Sequence, residues 1–190
     1  VYGDAIRISA SEKFPITGVK ISKNIIKNVS RYGIFLTQVA KAEIANNEIS
    51  SSGNHAILLE KNSTDSVIKT NTITKPGKSG IALYSASNKA TVSGNTITEP
   101  KEAGIYLYDN VKNCSIGVDS KNFNTISKAK GNGIHITGKC NSNTVAYNKI
   151  TNASGDGVFV YESSSITIKN NKISASKNGI NINSNSKKAK

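Results

Sequence analysis

Gly80-Ile81-Ala82-Leu83, completed by Asn95-Thr96-Ile97, is a phrase that the chain restates along its whole length. The first half returns as Gly33-Ile34-Phe35-Leu36, Gly104-Ile105-Tyr106-Leu107, Gly133-Ile134-His135-Ile136, Gly157-Val158-Phe159-Val160 and Gly179-Ile180-Asn181-Ile182, with alanine in place of glycine at Ala5 and Ala56. The second half, Asn-x-Ile, begins at Asn24, Asn47, Asn71, Asn124, Asn148 and Asn171. Markers at positions 5, 33, 56, 80, 104, 133, 157 and 179 are spaced by 28, 23, 24, 24, 29, 24 and 22 residues. Self-similarity with a period near 24 is the signature of a solenoid.

Each period holds two segments in which apolar residues alternate with polar ones. One is Gly-Ile-x-Leu. The other begins with an apolar residue (Ile21, Ile44, Ile68, Val92, Ile116, Val145, Ile168) and ends at Asn-x-Ile. Short alternating runs closed by Asn, Ser or Gly read as strand and corner, and no window carries helical spacing. Residues 11–15 and 118–122 enlarge the first and fifth repeats, and insertions of this kind are expelled at turns. Leucine-rich repeats share the period but need a Leu-dominated pattern that is missing. The expected fold is all-β: a parallel β-helix of about eight coils of about 24 residues, a single domain over residues 1–185 with a basic tail at 186–190. Its asparagines should stack at one corner, where Asn tolerates left-handed backbone and its amide bonds to the neighbouring coils.

Composition agrees. The 190 residues contain no Met and no Trp, and Lys and Arg total 25 against 12 acidic residues, a formal net charge of +13. A chain without Met that opens on a repeat suggests a processed protein or an excised domain. The charge favours polyanions, although lysines on sheet faces also guard against edge pairing. No apolar run approaches membrane-spanning length. Cys114 falls in an inward row with Val19, Ala42, Ser66, Ala90 and Ile166, whereas Cys140 is expected in a turn, out of register, so that a bridge between them is not expected.

The repeat, as in Gly157-Val158-Phe159-Val160 continued by Ile168-Lys169-Asn170-Asn171-Lys172-Ile173, resembles the parallel β-helix repeats of the pectate-lyase-like superfamily. That superfamily includes polygalacturonases, polysaccharide lyases, mannuronan epimerases and many bacterial surface proteins. The resemblance covers nearly the whole chain and implies a right-handed parallel β-helix more than any activity, because the repeat encodes stacking.

If Ile and Leu point inward, then Gly, x and the residue after Leu form three outward rows. The glycine row should leave a shallow trough. The x row reads Arg7, Phe35, Leu58, Ala82, Tyr106, His135, Phe159, Asn181, and the next includes Tyr84, Tyr108 and Tyr161. An aromatic floor of this kind suits stacked sugar rings. The candidate substrate-binding residues are therefore Arg31, Phe35, Tyr84, Tyr106, Tyr108, His135, Phe159 and Tyr161. Lys27, Arg31, Lys75, Lys78, Lys101, Lys128, Lys130 and Lys177 should form a basic ridge on one bank, which points to uronate or sulfated chains.

Polygalacturonases carry acidic and His motifs just before Gly-Ile-x-Leu. Here Asp4 and His55 match the first and last of that series, and Arg31-Tyr32 replaces the central acidic pair. An inverting hydrolase is poorly supplied. The resemblance instead implies a lyase or epimerase set, with Asp4, Tyr32 and His55 as candidate catalytic residues within about 10 Å of one another. The epimerases' Asp-Pro-His signature is absent. A second grouping, Asp109, His135, Asp156 and Glu162, lies farther along. Metal-ligand spacing, nucleophilic triads and phosphate-cradling loops have no candidates, and no cofactor is expected. Scattered lysines without an Arg-rich or RNA-binding motif argue against nucleic acid. The partner expected is an anionic polysaccharide, engaged at a bacterial cell surface or outside the cell. A polysaccharide lyase or uronate epimerase and a purely structural solenoid are the alternatives.

Overall fold

The computed structural model describes residues 3–183. Among them lie 24 short strands and no helix, as β-branched residues in short alternating runs dictate. Equivalent strands of successive coils pair in parallel, giving three long sheets. The first has eight strands, from Ile6–Ser9 through Ile81–Tyr84 to Ile180–Ile182. The second runs from Lys20–Ser22 to Thr167–Lys169 and the third from Ile25–Val29 to Lys172–Ser174, with seven strands each. The chain therefore makes seven complete coils of a parallel β-helix and opens an eighth. The tail expected at 186–190 lies outside the described residues.

Stacking is residue on residue. Ile81 pairs with Ile57 and Ile105, and Leu83 with Leu59 and Leu107. These side chains, with Ile68, Val92, Ile73 and Ile97 from the other two sheets, are wholly buried in one continuous core.

The second alternating segment breaks into two strands at the asparagine corner. The residue that takes left-handed backbone there is not the ladder asparagine, as expected, but the one before it: Lys23, Asn46, Thr70, Tyr147 and Asn170 have φ between 53° and 59°. The reason is the direction of the ladder side chain, which turns inward to serve the backbone. Asn71 Nδ2 donates to Asn95 Oδ1 at 3.0 Å, to Ile44 O at 3.0 Å and to Lys69 O at 3.1 Å, and the Asn71 backbone N–H donates to the same Asn95 oxygen at 3.0 Å. Equivalent bonds link Asn24 through Asn171.

Both cysteines are free and buried. Cys140 lies, as expected, in the corner between the strands Ile134–Thr137 and Thr144–Ala146, out of line with Cys114. It is fully enclosed, in line with Val39, Ser63, Ser87, Val111 and Ser163, and its N–H donates to Ser163 Oγ at 3.0 Å. Burial raises the Cys140 thiol to about 12 and the Cys114 thiol to about 11, which leaves both protonated and unreactive near neutrality.

The glycine row also departs from expectation. Rather than opening an outward trough, it faces the interior. A Cβ on Gly80 would stand 2.6 Å from Ile97 Cγ2 and 2.8 Å from Gly104 O. The residue sits at the corner where the third sheet's isoleucine packs beneath the first sheet, so only Gly, or Ala where the neighbours yield, fits. At Gly179, beyond the last complete coil, a Cβ would meet nothing within 4 Å. Gly80→Ala should therefore cost about 1–3 kcal/mol in urea unfolding through overpacking, whereas Gly179→Ala should be neutral or slightly stabilising. Asn95→Leu strands the Ile68 and Ser93 carbonyls and the Asn71 N–H, and should cost on the order of 3–6 kcal/mol by the same measurement.

Candidate functional site

The outer face of the first sheet is built from the x row, whose register is Arg7, Phe35, Leu58, Ala82, Tyr106, His135, Phe159, Asn181. It divides into a closed half and an open half.

In the closed half Phe35, Leu58 and Ala82 are buried beneath Tyr32 and Tyr84, forming a second small apolar cluster outside the main core. Ala82 decides this. Its methyl group leaves room above the strand, and Tyr84 leans across to reach His55: Tyr84 Oη and His55 Nε2 lie 3.0 Å apart, with the rings edge to face at 5.4 Å. The Ser79 backbone N–H donates to His55 Nδ1 at 3.1 Å. That bond makes Nδ1 the acceptor, places the proton on Nε2 and directs it to the tyrosine oxygen. His55 is 2% exposed. Burial, aided by the Lys78 ammonium, lowers its pKa to about 4. Burial, with Tyr106 and Glu102 nearby, pushes the Tyr84 phenol well above its usual range.

Asp4 closes the same end. Its carboxylate is 4% exposed, pairs with Arg7 Nη1 at 3.1 Å and Arg31 Nε at 3.8 Å, and accepts the Tyr32 N–H at 3.3 Å. The Arg7 guanidinium lies 4.7 Å over Phe35 and that of Arg31 5.3 Å over Tyr32, while the Tyr32 and His55 rings stack at 6.2 Å. The fold thus brings Asp4, Arg31, Tyr32 and His55 together. Asp4, Arg31 and His55 are engaged with neighbours, and the Tyr32 ring packs between Arg31 and His55. Phe35, expected to contact a ligand, is 5% exposed, because Tyr32 and Arg7 cover it.

In the open half the aromatics are half-buried or exposed and touch one another in sequence. Tyr84 meets Tyr106 at 5.4 Å and Tyr108 at 5.6 Å; Tyr106 stacks on His135 at 4.7 Å, and His135 meets Phe159 edge to face at 5.0 Å. Tyr161 lies one coil beyond Thr137 in the Tyr108 row, half-buried. Beside Tyr106 and His135 is a recess of about 370 Å³ walled by Ser79, Lys101, Glu102 and Asn132. It exists because Ala103 and Gly131 occupy rows in which neighbouring coils carry Asn132 and Glu102. Burial lowers the His135 pKa, keeping its ring neutral at physiological pH, and raises the Tyr106 phenol, with Tyr108 and Glu102 adding to the rise.

Glu102, Ser79 and Asn132 were not among the residues expected here. They sit one and two places before the Gly-Ile-x-Leu glycine, the positions read for motifs only in the first three repeats. The second acidic grouping does not form one site. Asp156 is 6% exposed and is held by Asn178 Nδ2 at 2.6 Å and Asn181 Nδ2 at 2.8 Å, whereas Asp109 and Glu162 line a separate recess of about 150 Å³ with Lys139. The basic ridge is partly neutralised. Lys27 pairs with Glu48 at 3.4 Å, and Lys75 and Lys128 with Glu99 at 3.9 and 3.4 Å, leaving Lys78, Lys101, Lys130 and Lys177 without an ion pair among the described residues.

The His55 geometry has a pH consequence. Its folded pKa of about 4 lies below the ordinary 6.5, so the unfolded chain takes up the proton first as pH falls. Its contribution to stability is complete above pH 6.5 and is lost toward pH 4, by about 3 kcal/mol. Urea unfolding of His55→Asn beside the parent protein should show the difference between them shrinking by that amount between pH 7 and 4.

The sequence model of the "Right handed beta helix region" matches residues 2–120 and 121–190. Among solved structures, the periplasmic alginate epimerase AlgG superposes with a TM-score of 0.70 at 16% identity, covering 98% of this chain and 47% of that one. The Azotobacter vinelandii mannuronan C-5 epimerase AlgE6 A-module gives 0.74 at 15% identity, over 84% of this chain and 42% of that one. The A-module of AlgE4, from the same organism, gives 0.63 at 12% identity, over 92% and 64%. The chain thus spans about half the length of the first two structures, and at these identities the likeness is one of fold. No curated protein sequence matches. With the family model matched over residues 2–120 and 121–190, the chain belongs to the right handed beta helix family.

Proposed function

We propose that this chain is a polysaccharide-binding β-helix module that holds an acidic glycan along the open half of its first sheet, outside the cell or at its surface. One observation carries the reading: the ribbon from Tyr84 through Tyr106, Tyr108 and His135 to Phe159 runs along the helix axis beside a recess with polar walls. Pyranose rings stack on tyrosine faces, and Lys101 and Asn132 supply a cation and an amide to a uronate carboxylate or hydroxyl. Alginate and mannuronan, named for the structures similar in fold, are chains of this chemistry. In this reading Asp4, Tyr32 and His55 form the packed end of the face, and Tyr84 is part binding surface and part brace.

A second reading is enzymatic and rests on Glu102, Tyr106 and His135 converging on one recess. A neutral His135 or the Glu102 carboxylate would take the proton next to a sugar carboxylate held by Lys101, and the Tyr106 phenol would return it on the other face or protonate the leaving oxygen. This would be uronate epimerisation or β-elimination. It predicts inverted C5 stereochemistry by NMR, or an unsaturated product absorbing in the near ultraviolet, lost in His135→Asn.

The binding reading is tested by affinity electrophoresis through gels containing alginate or polygalacturonate. The protein should be retarded at low salt and less so as salt rises. Tyr106→Ala with Tyr108→Ala should weaken retention about fivefold to a hundredfold, at roughly 0.5–1.5 kcal/mol per ring. Phe35→Ala should lower stability and leave affinity alone. Free migration through every acidic glycan tried would reject the reading.

A further inference from the structure

The corner before the asparagine ladder carries Lys23, Asn46, Thr70 and Gly94 in its first four coils, residues that are small, polar or flexible. The next two coils place Phe123 and Tyr147 there, followed by Asn170. Tyr147 holds φ 55°, a conformation that a bulky side chain adopts at a cost and that Asn or Gly takes readily. The ladder does not need the ring, since Gly94 and Asn46 serve the same corner.

Phe123 is 42% exposed. It is delivered by the insertion at 118–122, which Asp119 folds on itself: Oδ1 accepts the Lys121 N–H at 2.7 Å and the Asn122 N–H at 2.9 Å. The acid of the insertion is therefore spent internally, and the Asn122 side-chain amide, with those backbone bonds, lowers its pKa. Together Ser120, Phe123, Tyr147, Asn170, Lys149 and Lys172 line a mostly apolar recess of about 200 Å³.

Lys149 and Lys172 face each other in register on adjacent strands of the third sheet, about 4.8 Å apart at the backbone. Neither makes an ion pair among the described residues, whereas Lys27, Lys69, Lys75 and Lys128 do. Earlier coils fill the same row with Ile25, Glu48, Thr72, Thr96 and Thr125. Two like charges stacked without a carboxylate repel, and an anion between them removes that cost.

We propose that this corner is a second, separate acidic-sugar site, in which a ring packs on Tyr147 and Phe123 and a carboxylate or sulfate lies between Lys149 and Lys172. It lies on the third sheet and the corner that leads into it, shares no residue with the first-sheet face, and stands without it. With both sites filled, one module bridges two glycan strands or two segments of one.

The variant Tyr147→Asn, Lys149→Thr, Lys172→Thr tests this. Each change restores a residue type that the same row already carries, so the coil keeps its fold. Isothermal titration with an oligouronate of about six sugars should give two sites per chain in the parent protein. It should give one in the triple variant and one in Tyr106→Ala with Tyr108→Ala, and the triple variant should lose the ability to cross-link long alginate into turbid complexes. A triple variant that titrates and cross-links like the parent overturns the second site and leaves the first-sheet reading intact. Two-site binding lost only in the triple variant supports the corner while overturning the first-sheet reading. Protection of the corner's NMR signals by a single-stranded oligonucleotide, with none by the oligouronate, also overturns the proposal.

Discussion

The interaction on which the rest depends is the inward asparagine amide. Each coil must turn through a tight corner between the second and third sheets, and the corner leaves carbonyls pointing where no strand partner waits. Asn71 Nδ2 answers two of them and passes a bond to Asn95, whose oxygen also takes the Asn71 N–H. An amide has the donors and acceptor to do this and a leucine has neither. Once the corner is fixed, every other position falls into register with its counterpart one coil away. The interior glycines follow from the same constraint, since the coil that the asparagine closes brings Ile97 against Gly80.

A structure made of rows has a consequence for function. A row filled uniformly gives a smooth wall, so concavity arises only where one coil breaks the pattern. Ala82 lets Tyr84 fold down and lock onto His55. Ala103 and Gly131 leave the recess beside Tyr106. Tyr147 puts a ring where the corner wants Asn. The candidate sites are thus exceptions to the repeat, and they are built by small residues as much as by the large ones around them.

This explains what could be read in advance. The period, the alternation and the stacked asparagines depend on each residue's own type and spacing, and they specify a parallel β-helix, an Ile and Leu core and the x row in correct order, although the second alternating segment proves to be two strands, which makes three sheets. The direction of the glycine row could not be read so, because it depends on how the third sheet packs beneath the first. The same holds for Phe35, whose burial comes from the Tyr32 ring of its own coil and from Arg7 of the coil before. Cys140 reads correctly as a corner residue out of line with Cys114, but spacing alone does not show that this corner is fully enclosed. Glu102, Ser79 and Asn132 were in plain view two places and one place before the repeated glycine. What hid them was that a Glu or Asn there resembles any solvated corner until the small neighbours that expose it are known.

Net charge illustrates the same point. A formal +13 suggests a uniformly basic surface, yet Glu43, Glu48 and Glu99 are stacked against Lys69, Lys27, Lys75 and Lys128, and these exposed pairs contribute little stability. Their effect is on the field. They cancel charge along parts of the rows and leave it uncompensated at Lys101, beside the Tyr106 recess, and at Lys149 and Lys172, beside Tyr147. Because a screened charge acts over about a Debye length of 8–10 Å, only uncancelled lysines next to a stacking surface act on a ligand together with it. The placement of the glutamates, more than the number of lysines, therefore determines where an acidic chain would be held.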